Sequence, residues 1–114
     1  MKFDKKYHLK KDYNGYVFTV MDRSAEADPN WVTVDVFSEG ENADPINDAV
    51  YQRNRIIEEA FNIKIAEKQV RNPSDDARKL ISADDRSFDV FSDGVRYLAQ
   101  ICADGYLYPC TEKL

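Results

Sequence analysis

The chain has 114 residues, of which 43% are hydrophobic, and a net charge of −5 from 21 acidic and 16 basic side chains. That length corresponds to one domain or part of one, and it can bury a core without disulfides or a metal. An acidic balance with no basic stripe argues against nucleic acid and anionic membrane surfaces as partners. No apolar run approaches the roughly 20 residues of a membrane span, and the charged N-terminus lacks the apolar region of a signal peptide. The protein is therefore either cytoplasmic or separated here from a signal segment.

The chain begins with a charged segment followed by a strand. Residues 1–12 are expected to form a flexible tail. After the Asn14-Gly15 turn, residues 16–21 (YVFTVM) are β-branched, aromatic and apolar nearly throughout. This composition predicts a strand covered on both faces. The apolar residues within 31–37 predict a short strand or an extended segment.

A helix is predicted over residues 45–61. Pro45 suits the first helical position, where its missing N–H would have no partner, and Asp44 can cap the free N–H groups before it. Apolar residues then recur at helical spacing on a face that also carries Arg53. These apolar residues are Ile46, Ala49, Val50, Ile56, Ile57, Ala60 and Phe61.

The helix is predicted to run directly into a strand. Asn62 is a plausible helix stop, and the alternation of Ile63, Lys64 and Ile65 predicts a strand over about 63–70. A short helix-to-strand join is typical of a parallel sheet with crossover helices.

Three further elements complete the chain. The Asn72-Pro73 pair predicts a capped helix that ends near Ala83. Residues 87–92 predict a third, short strand, and a last helix is predicted to begin near Val95 and to end before Gly105.

This order of elements predicts an α/β fold with a mainly parallel sheet and crossover helices. Right-handed crossovers would place the strand at 16–21 between its two successors. Ligands of such sheets gather at the carboxyl ends of the strands, which here are residues 21–23 and 92–96.

Five residues at or near these strand ends are candidate ligand contacts. Asp22 lies at the end of the first strand. Asp93, at the end of the third, can accept hydrogen bonds from hydroxyl groups, although it could equally be the N-cap of the last helix. Gly94 permits close backbone approach or a positive φ, and the N–H groups of the helix after it can bind an oxygen. Trp31 and Tyr97 offer flat rings that suit a polyhydroxylated ligand such as a sugar, and the alternative for Trp31 is a place in the core.

Enzymatic signatures are absent from the sequence. It has no phosphate-binding glycine loop, dinucleotide fingerprint or metalloprotease motif, and no nucleophile elbow. Cys102, Cys110 and a single histidine make a poor zinc site, so we predict no metal and no cofactor. The two cysteines are expected to be small buried hydrophobes, with a disulfide as the alternative. A hydrolase that uses two distant carboxylates stays open.

Several segments, in this order and spacing, resemble the mature N-terminus of extracellular solute-binding proteins of ABC importers, in particular the lipoprotein type of Gram-positive bacteria. The similarity covers residues 13–114. The segments that carry it are NGYVFTV at 14–20, Trp31, NDAVYQRN at 47–54, IEEAFNI at 57–63, FDV at 88–90 with Phe91, Leu98-Ala99, and Gly105-Tyr106-Leu107.

The resemblance implies a non-enzymatic protein with two α/β lobes that close around a solute and pass it to a membrane permease. Residues 13–114 would be the first part of the N-terminal lobe, and the parent protein would be extracellular and membrane-anchored. The solute would be a carbohydrate, in particular an oligosaccharide, or a peptide. Only the strand-end positions Asp22, Trp31, Asp93 and Gly94 are carried over as contacts.

The second lobe, the signal peptide and the lipid-bearing cysteine of that family have no counterpart in this sequence. The alternative is a free-standing domain that binds a protein partner through exposed apolar surface near residues 106–108. Self-association of a truncated lobe is expected for the same reason.

Overall fold

The computed structural model describes residues 12–27, 29–30, 32 and 34–107. The elements are β1 (Tyr16–Arg23), α1 (Pro45–Phe61), β2 (Ile63–Val70), α2 (Pro73–Ser82), β3 (Val90–Phe91) and α3 (Val95–Ala103). The three strands form one parallel sheet in the order β2-β1-β3. The predicted α/β class and the central place of the first strand are therefore confirmed. Of the predicted tail, only Asp12 lies within the described residues.

The two neighbours of β1 are paired to very different extents. β2 pairs with β1 along its whole length, from Tyr16 opposite Ile63 to Arg23 opposite Val70. β3 pairs only at Val90 and Phe91. The predicted strand at 87–92 is thus much shorter in the structure.

Asp89 explains why β3 is so short. Its backbone N–H donates to the Thr19 carbonyl at 2.9 Å, as a strand residue would. Its side chain then accepts from the Thr19 N–H at 2.8 Å and from the Tyr16 hydroxyl. A carboxylate therefore replaces the backbone carbonyls that a longer third strand would supply.

The main core lies between the sheet and the pair α2 and α3. Met21 of β1, Ala77 of α2 and Ile101 of α3 are fully buried against one another. Partly buried apolar side chains surround them, namely Val70, Leu80, Phe88, Phe91, Leu98, Tyr106 and Leu107. Because strand side chains alternate, the residues on either side of Met21 face the opposite layer, which contains α1.

The helix α1 begins and ends where the sequence predicts. Oδ1 of Asp44 accepts from the N–H groups of Ile46 and Asn47 at 3.0 Å each. Asn62 adopts the left-handed conformation with φ 52° and closes the helix. The predicted apolar face is only partly correct, because Ile46 is 65% exposed.

Two asparagines occupy the buried face of α1 beside Val50. The side chain of Asn47 accepts from Ser38 Oγ at 2.8 Å and donates to the Gly40 carbonyl at 2.8 Å. Asn54 donates to the Val36 carbonyl at 2.7 Å. These bonds satisfy the buried amides and bind residues 36–40 to the helix.

The sequence predicts a short strand or an extended segment within residues 31–37, and no strand forms in the described part of that segment, which is residues 32 and 34–37. Its backbone carbonyls are held by side chains of α1 instead of by a neighbouring strand. Nη2 of Arg53 donates to the carbonyl of Asp35 at 2.8 Å, next to the bond from Asn54. The segment therefore runs as a loop over α1.

The prediction that β1 is covered on both faces is wrong for its first half. Tyr16 is 52% exposed and Val17 is 49% exposed. Both lie at the start of the strand, on opposite faces. Only the second half of β1, at Met21 and Asp22, is buried.

Asn72 occupies the N-cap position of α2 before Pro73, as predicted, but its side chain makes no capping hydrogen bond. Asp44 and Asn72 therefore form a matched pair, each preceding a proline at the start of a helix.

We expect Asp44→Ala to lower the free energy of unfolding by about 1 kcal/mol, since it removes two hydrogen bonds to helical N–H groups. Asn72→Ala should cost less than about 0.5 kcal/mol. Urea denaturation of both variants measures this, and equal losses would contradict the assignment.

Candidate functional site

The carboxyl ends of β1 and β3 meet at the carboxylate of Asp93. Its Oδ1 accepts from Nη2 of Arg23 at 2.7 Å and from the Gly94 N–H at 2.8 Å. Its Oδ2 accepts from the Ser74 N–H at 3.1 Å and from Ser74 Oγ at 2.8 Å. The Asp93 side chain is only 2% exposed. One buried carboxylate thus connects β1, α2 and the start of α3.

Opposing effects act on the pKa of Asp93. Burial raises it, while the hydrogen bonds from Arg23, Ser74 and Gly94 lower it and together prevail, so the pKa lies below its ordinary value of 3.8. The carboxylate is therefore charged at neutral pH. Its position at Ser74 also explains why α2 needs no cap from its own preceding residue. Asp93 caps α2 from a distant loop and is not the N-cap of α3, which is Gly94.

The beginning of α3 is open and lies next to an exposed aromatic ring. Among the described residues no side chain caps this helix, so its first N–H groups have no intrahelical partner and are available to a ligand. Tyr97 is 44% exposed, and the guanidinium groups of Arg23 and Arg96 lie 5.5 and 4.9 Å from its ring centre. Arg96 also donates to the Tyr97 hydroxyl at 2.8 Å.

Gly94 does not use the positive φ that its sequence position allowed, since its φ is −62°. A Cβ at this position would lie 3.4 Å from Cδ2 of Tyr97, which is an ordinary contact. The glycine therefore leaves space beside the ring rather than relieving backbone strain.

Asp22, another predicted contact, does not join this group. Its side chain lies on the α1 side of the sheet with Asp35 and Glu67, and one carboxylate oxygen from each lies within 4.8 Å of the other two. Asp22 is 6% exposed, and no donor among the described residues reaches its Oδ1. The structure thus brings together Asp93 and Gly94 and separates Asp22 from them. Trp31 lies outside the described residues.

The acidic group shifts the pKa of two of its members. The pKa of Glu67 is raised from 4.5 to about 8, mainly by burial and in addition by the adjacent carboxyl groups of Asp22 and Asp35. Burial also raises the pKa of Asp22, and the charge of Asp35 acts in the same direction. Asp22 and Glu67 can share a hydrogen bond only while one of them holds a proton.

These converging acids meet one condition for a hydrolase that uses two carboxylates. However, glycoside hydrolases keep such groups about 5 Å or more apart so that the substrate can lie between them. Here the carboxyl groups of Asp22 and Glu67 are adjacent, and Asp22 is almost completely buried. The arrangement fits a shared proton or a bound cation better than attack on a glycosidic bond.

An open apolar groove of about 810 Å³ separates part of the sheet from α1. Its apolar wall is formed by Tyr13, Tyr16, Phe18, Val20, Val36, Ile57, Phe61, Ile63 and Ile65. Asp35, Arg53, Asn54 and Asp89 contribute polar groups. Tyr106 and Leu107, by contrast, are partly buried against the main core and do not line this groove. Tyr108 lies outside the described residues.

Cys102 has a free thiol and is exposed on α3, so the expectation that it is a small buried hydrophobe is wrong. Cys110 lies outside the described residues. Among the described helices, none has the length and apolar character needed to cross a membrane.

Comparison of the chain with protein-family models, with curated proteins and with solved structures gave no match in any of the three.

Stability should depend on pH through Glu67. Its pKa is raised on folding, so the folded state holds a proton that the unfolded state has lost between about pH 4.5 and about pH 8. The free energy of unfolding should fall as the pH rises through that window. The measurement is made with a chelator present, so that no cation binds to the three carboxyl groups. Glu67→Gln should reduce this fall, so that its advantage over the wild type grows towards pH 8.

Urea denaturation between pH 5 and pH 8 measures this dependence. Glu59→Gln is the control, because Glu59 is exposed on α1 and lies outside the acidic group. A pH dependence that is the same in Glu67→Gln and Glu59→Gln would contradict the assignment.

Loss of the Asp93 charge should destabilise the fold. Asp93→Asn keeps the size but weakens the bonds from Arg23 and Ser74, and we expect a loss of about 2–3 kcal/mol at neutral pH. Because the pKa is depressed on folding, this loss should shrink as the pH falls below 3.8. Asp104→Asn, which removes the more exposed pair with Arg78, should cost about 0–1 kcal/mol. Equal costs for the two variants in urea denaturation would refute the special role of Asp93.

Proposed function

We propose that this chain is the first part of the N-terminal lobe of a non-enzymatic solute-binding protein that serves ABC-type import. The solute is a carbohydrate, in particular an oligosaccharide. The observation that carries the proposal is the exposed Tyr97 ring beside the open N-terminus of α3, at the carboxyl edge of a parallel sheet. The longer parent protein is extracellular and membrane-anchored, and its protein partner is the permease.

The chemistry of this edge supports a polyhydroxylated ligand. The exposed ring of Tyr97 can pack against the apolar face of a sugar, and the N–H groups at the start of α3 can donate to hydroxyl oxygens. Arg96 adds a donor beside the ring. Asp93 fixes the loop that presents these groups, because its carboxylate accepts from the N–H of Gly94.

The order β2-β1-β3 and the open groove support a lobe that is continued by further chain. β1 is central and paired on both sides, while apolar residues at its start remain exposed on the α1 side, as at Tyr16. A further element packed into this groove would bury that surface. In the complete protein, the ligand would shift the population of two lobes towards a closed form by a hinge motion.

The test is a titration of the 114-residue chain, labelled with ¹⁵N, with a panel of oligosaccharides and short peptides. We expect weak, saturable binding of one or more oligosaccharides, since one lobe supplies half of a cleft. The amide signals that move should be those of residues 93–98. Tyr97→Ala should weaken binding about tenfold, equivalent to about 1.4 kcal/mol for a lost ring contact.

Tyr51→Ala is the matched control. Tyr51 also lies under an arginine, with the Arg55 guanidinium 5.8 Å from its ring centre, but it is on α1 and away from the strand ends. It should leave binding unchanged. The proposal would be refuted if the chain turned over one member of the panel and bound no other. It would also be refuted if Tyr97→Ala and Tyr51→Ala changed the binding affinity equally.

The apolar groove favours a second candidate function, a domain that binds a protein or peptide partner. The same titration separates the two functions. A peptide ligand of the groove would move the signals of residues 16–20 and 63–65 and would be insensitive to Tyr97→Ala. Self-association through the groove would broaden the same signals with rising protein concentration.

A further inference from the structure

We propose that Asp22, Asp35 and Glu67 form a binding site for one Ca²⁺ ion. The site lies on the α1 side of the sheet, apart from the Tyr97 edge. It is independent of the proposed solute-binding function, and either can fail without the other.

The distances between the three carboxyl groups fit one shared cation. Calcium binds oxygen ligands at about 2.3–2.6 Å, so two oxygens on the same ion are at most about 5 Å apart. One oxygen each from Asp22, Asp35 and Glu67 lies within 4.8 Å of the other two. The three oxygens are therefore close enough together to share one ion.

The second observation is the unpartnered oxygen of Asp22. Asp22 is only 6% exposed, and when the three carboxyl groups are charged no donor among the described residues reaches its Oδ1. The ion pairs among those residues likewise leave the three acids without a lysine or arginine partner. A buried carboxylate without a compensating charge is costly, and a cation at this point would remove the cost.

The three acids are held by separate parts of the fold. In the β1–β2 pairing Asp22 lies opposite Gln69, and Glu67 lies two residues away on the same face of β2. Asp35 is brought in by the loop over α1, whose carbonyls accept from Arg53 and Asn54. The ligand oxygens are thus positioned by strand pairing and loop contacts.

Calcium fits this arrangement better than magnesium. Magnesium binds at about 2.0–2.1 Å and demands a nearly ideal octahedron, whereas calcium accepts wider and less regular oxygen sets. Asp35 is exposed, which leaves an open side where water can complete the coordination. Three carboxylates also exceed the charge of one divalent ion, so no further acid is required.

Proton binding should compete with calcium. Carboxylate ligands must be deprotonated to bind a metal, so protons and calcium compete for the same oxygens. The charged or polar groups around Glu67 are Asp22 on β1, Asp35 on the loop and Gln69 on β2. Arg53 on α1 is engaged with the Asp35 and Val36 carbonyls and with Oδ1 of Asn54. Calcium affinity should therefore rise with pH.

Isothermal titration of the 114-residue chain with CaCl₂ is the test, near pH 8.5 and near pH 6. We expect one ion per chain with a dissociation constant of about 10⁻⁴ M at the higher pH, and weaker binding at the lower pH. MgCl₂ should bind more weakly than CaCl₂. The thermal midpoint at the higher pH should rise with added calcium relative to EDTA.

Asp22→Asn and Asp35→Asn should each weaken calcium binding at least about tenfold. Because Asp35 is exposed, Asp35→Asn still tests the proposal if Asp22→Asn does not fold. Circular dichroism verifies that each variant is folded. Asp84→Asn is the control, because it removes an exposed carboxylate outside the group at a φ of 52° that asparagine tolerates. Absence of saturable calcium binding at the higher pH, tighter binding of magnesium, or equal affinity of Asp35→Asn and Asp84→Asn would overturn the proposal.

Discussion

The carboxylate of Asp93 makes the contacts on which the arrangement of this fold most depends. A parallel sheet fixes the positions of its strands but not the helices that follow them. Asp93 joins the end of β1, through Arg23, to the start of α2, through Ser74. It also holds the first turn before α3, through Gly94. The candidate ligand edge at Tyr97 is placed by this buried charge rather than by the short third strand.

Local sequence signals were sufficient for the helices and for β1 and β2. Asp44, Pro45 and Asn62 each act through groups within a few residues, so the bounds of α1 could be read from the sequence. The similar pair Asn72-Pro73 shows the limit of that approach. The start of α2 is capped from Asp93, 19 residues away, and no local pattern can indicate a partner brought in by the fold.

The third strand forms but is shorter than predicted, for a related reason. Its composition favours an extended chain, and Val90 and Phe91 do pair with β1. The side chain of Asp89, however, takes the place of the next backbone group by accepting from the Thr19 N–H.

On α1, the buried face includes Asn47 and Asn54, which a search for apolar residues at helical spacing does not find. Their seven-residue spacing, which keeps both on one face of the helix, is the signal that could have found them.

The candidate sites were only partly predictable. Asp93 and Gly94 were found because the ends of parallel strands are known positions for ligands. Asp22 was expected there too, but the alternation of strand side chains directs it to the other face. The group formed with Asp35 and Glu67 depends on strand register and on the path of a loop. Neither the register nor the loop path can be derived from a single sequence. Asp22, however, is an acidic residue in an otherwise largely apolar strand, and this pattern indicates a polar site.

The unequal pairing of the strands divides the molecule into parts of different local stability. β1 and β2 pair along eight residues, whereas β3 is joined to β1 at two. Segments with few backbone bonds and little buried surface open locally at lower cost than the global unfolding of the domain. β3 and the start of α3 should therefore exchange their amide hydrogens faster than β1 and β2. A solute bound at Tyr97 would hold this segment closed, so its affinity would include the free energy of that local closure.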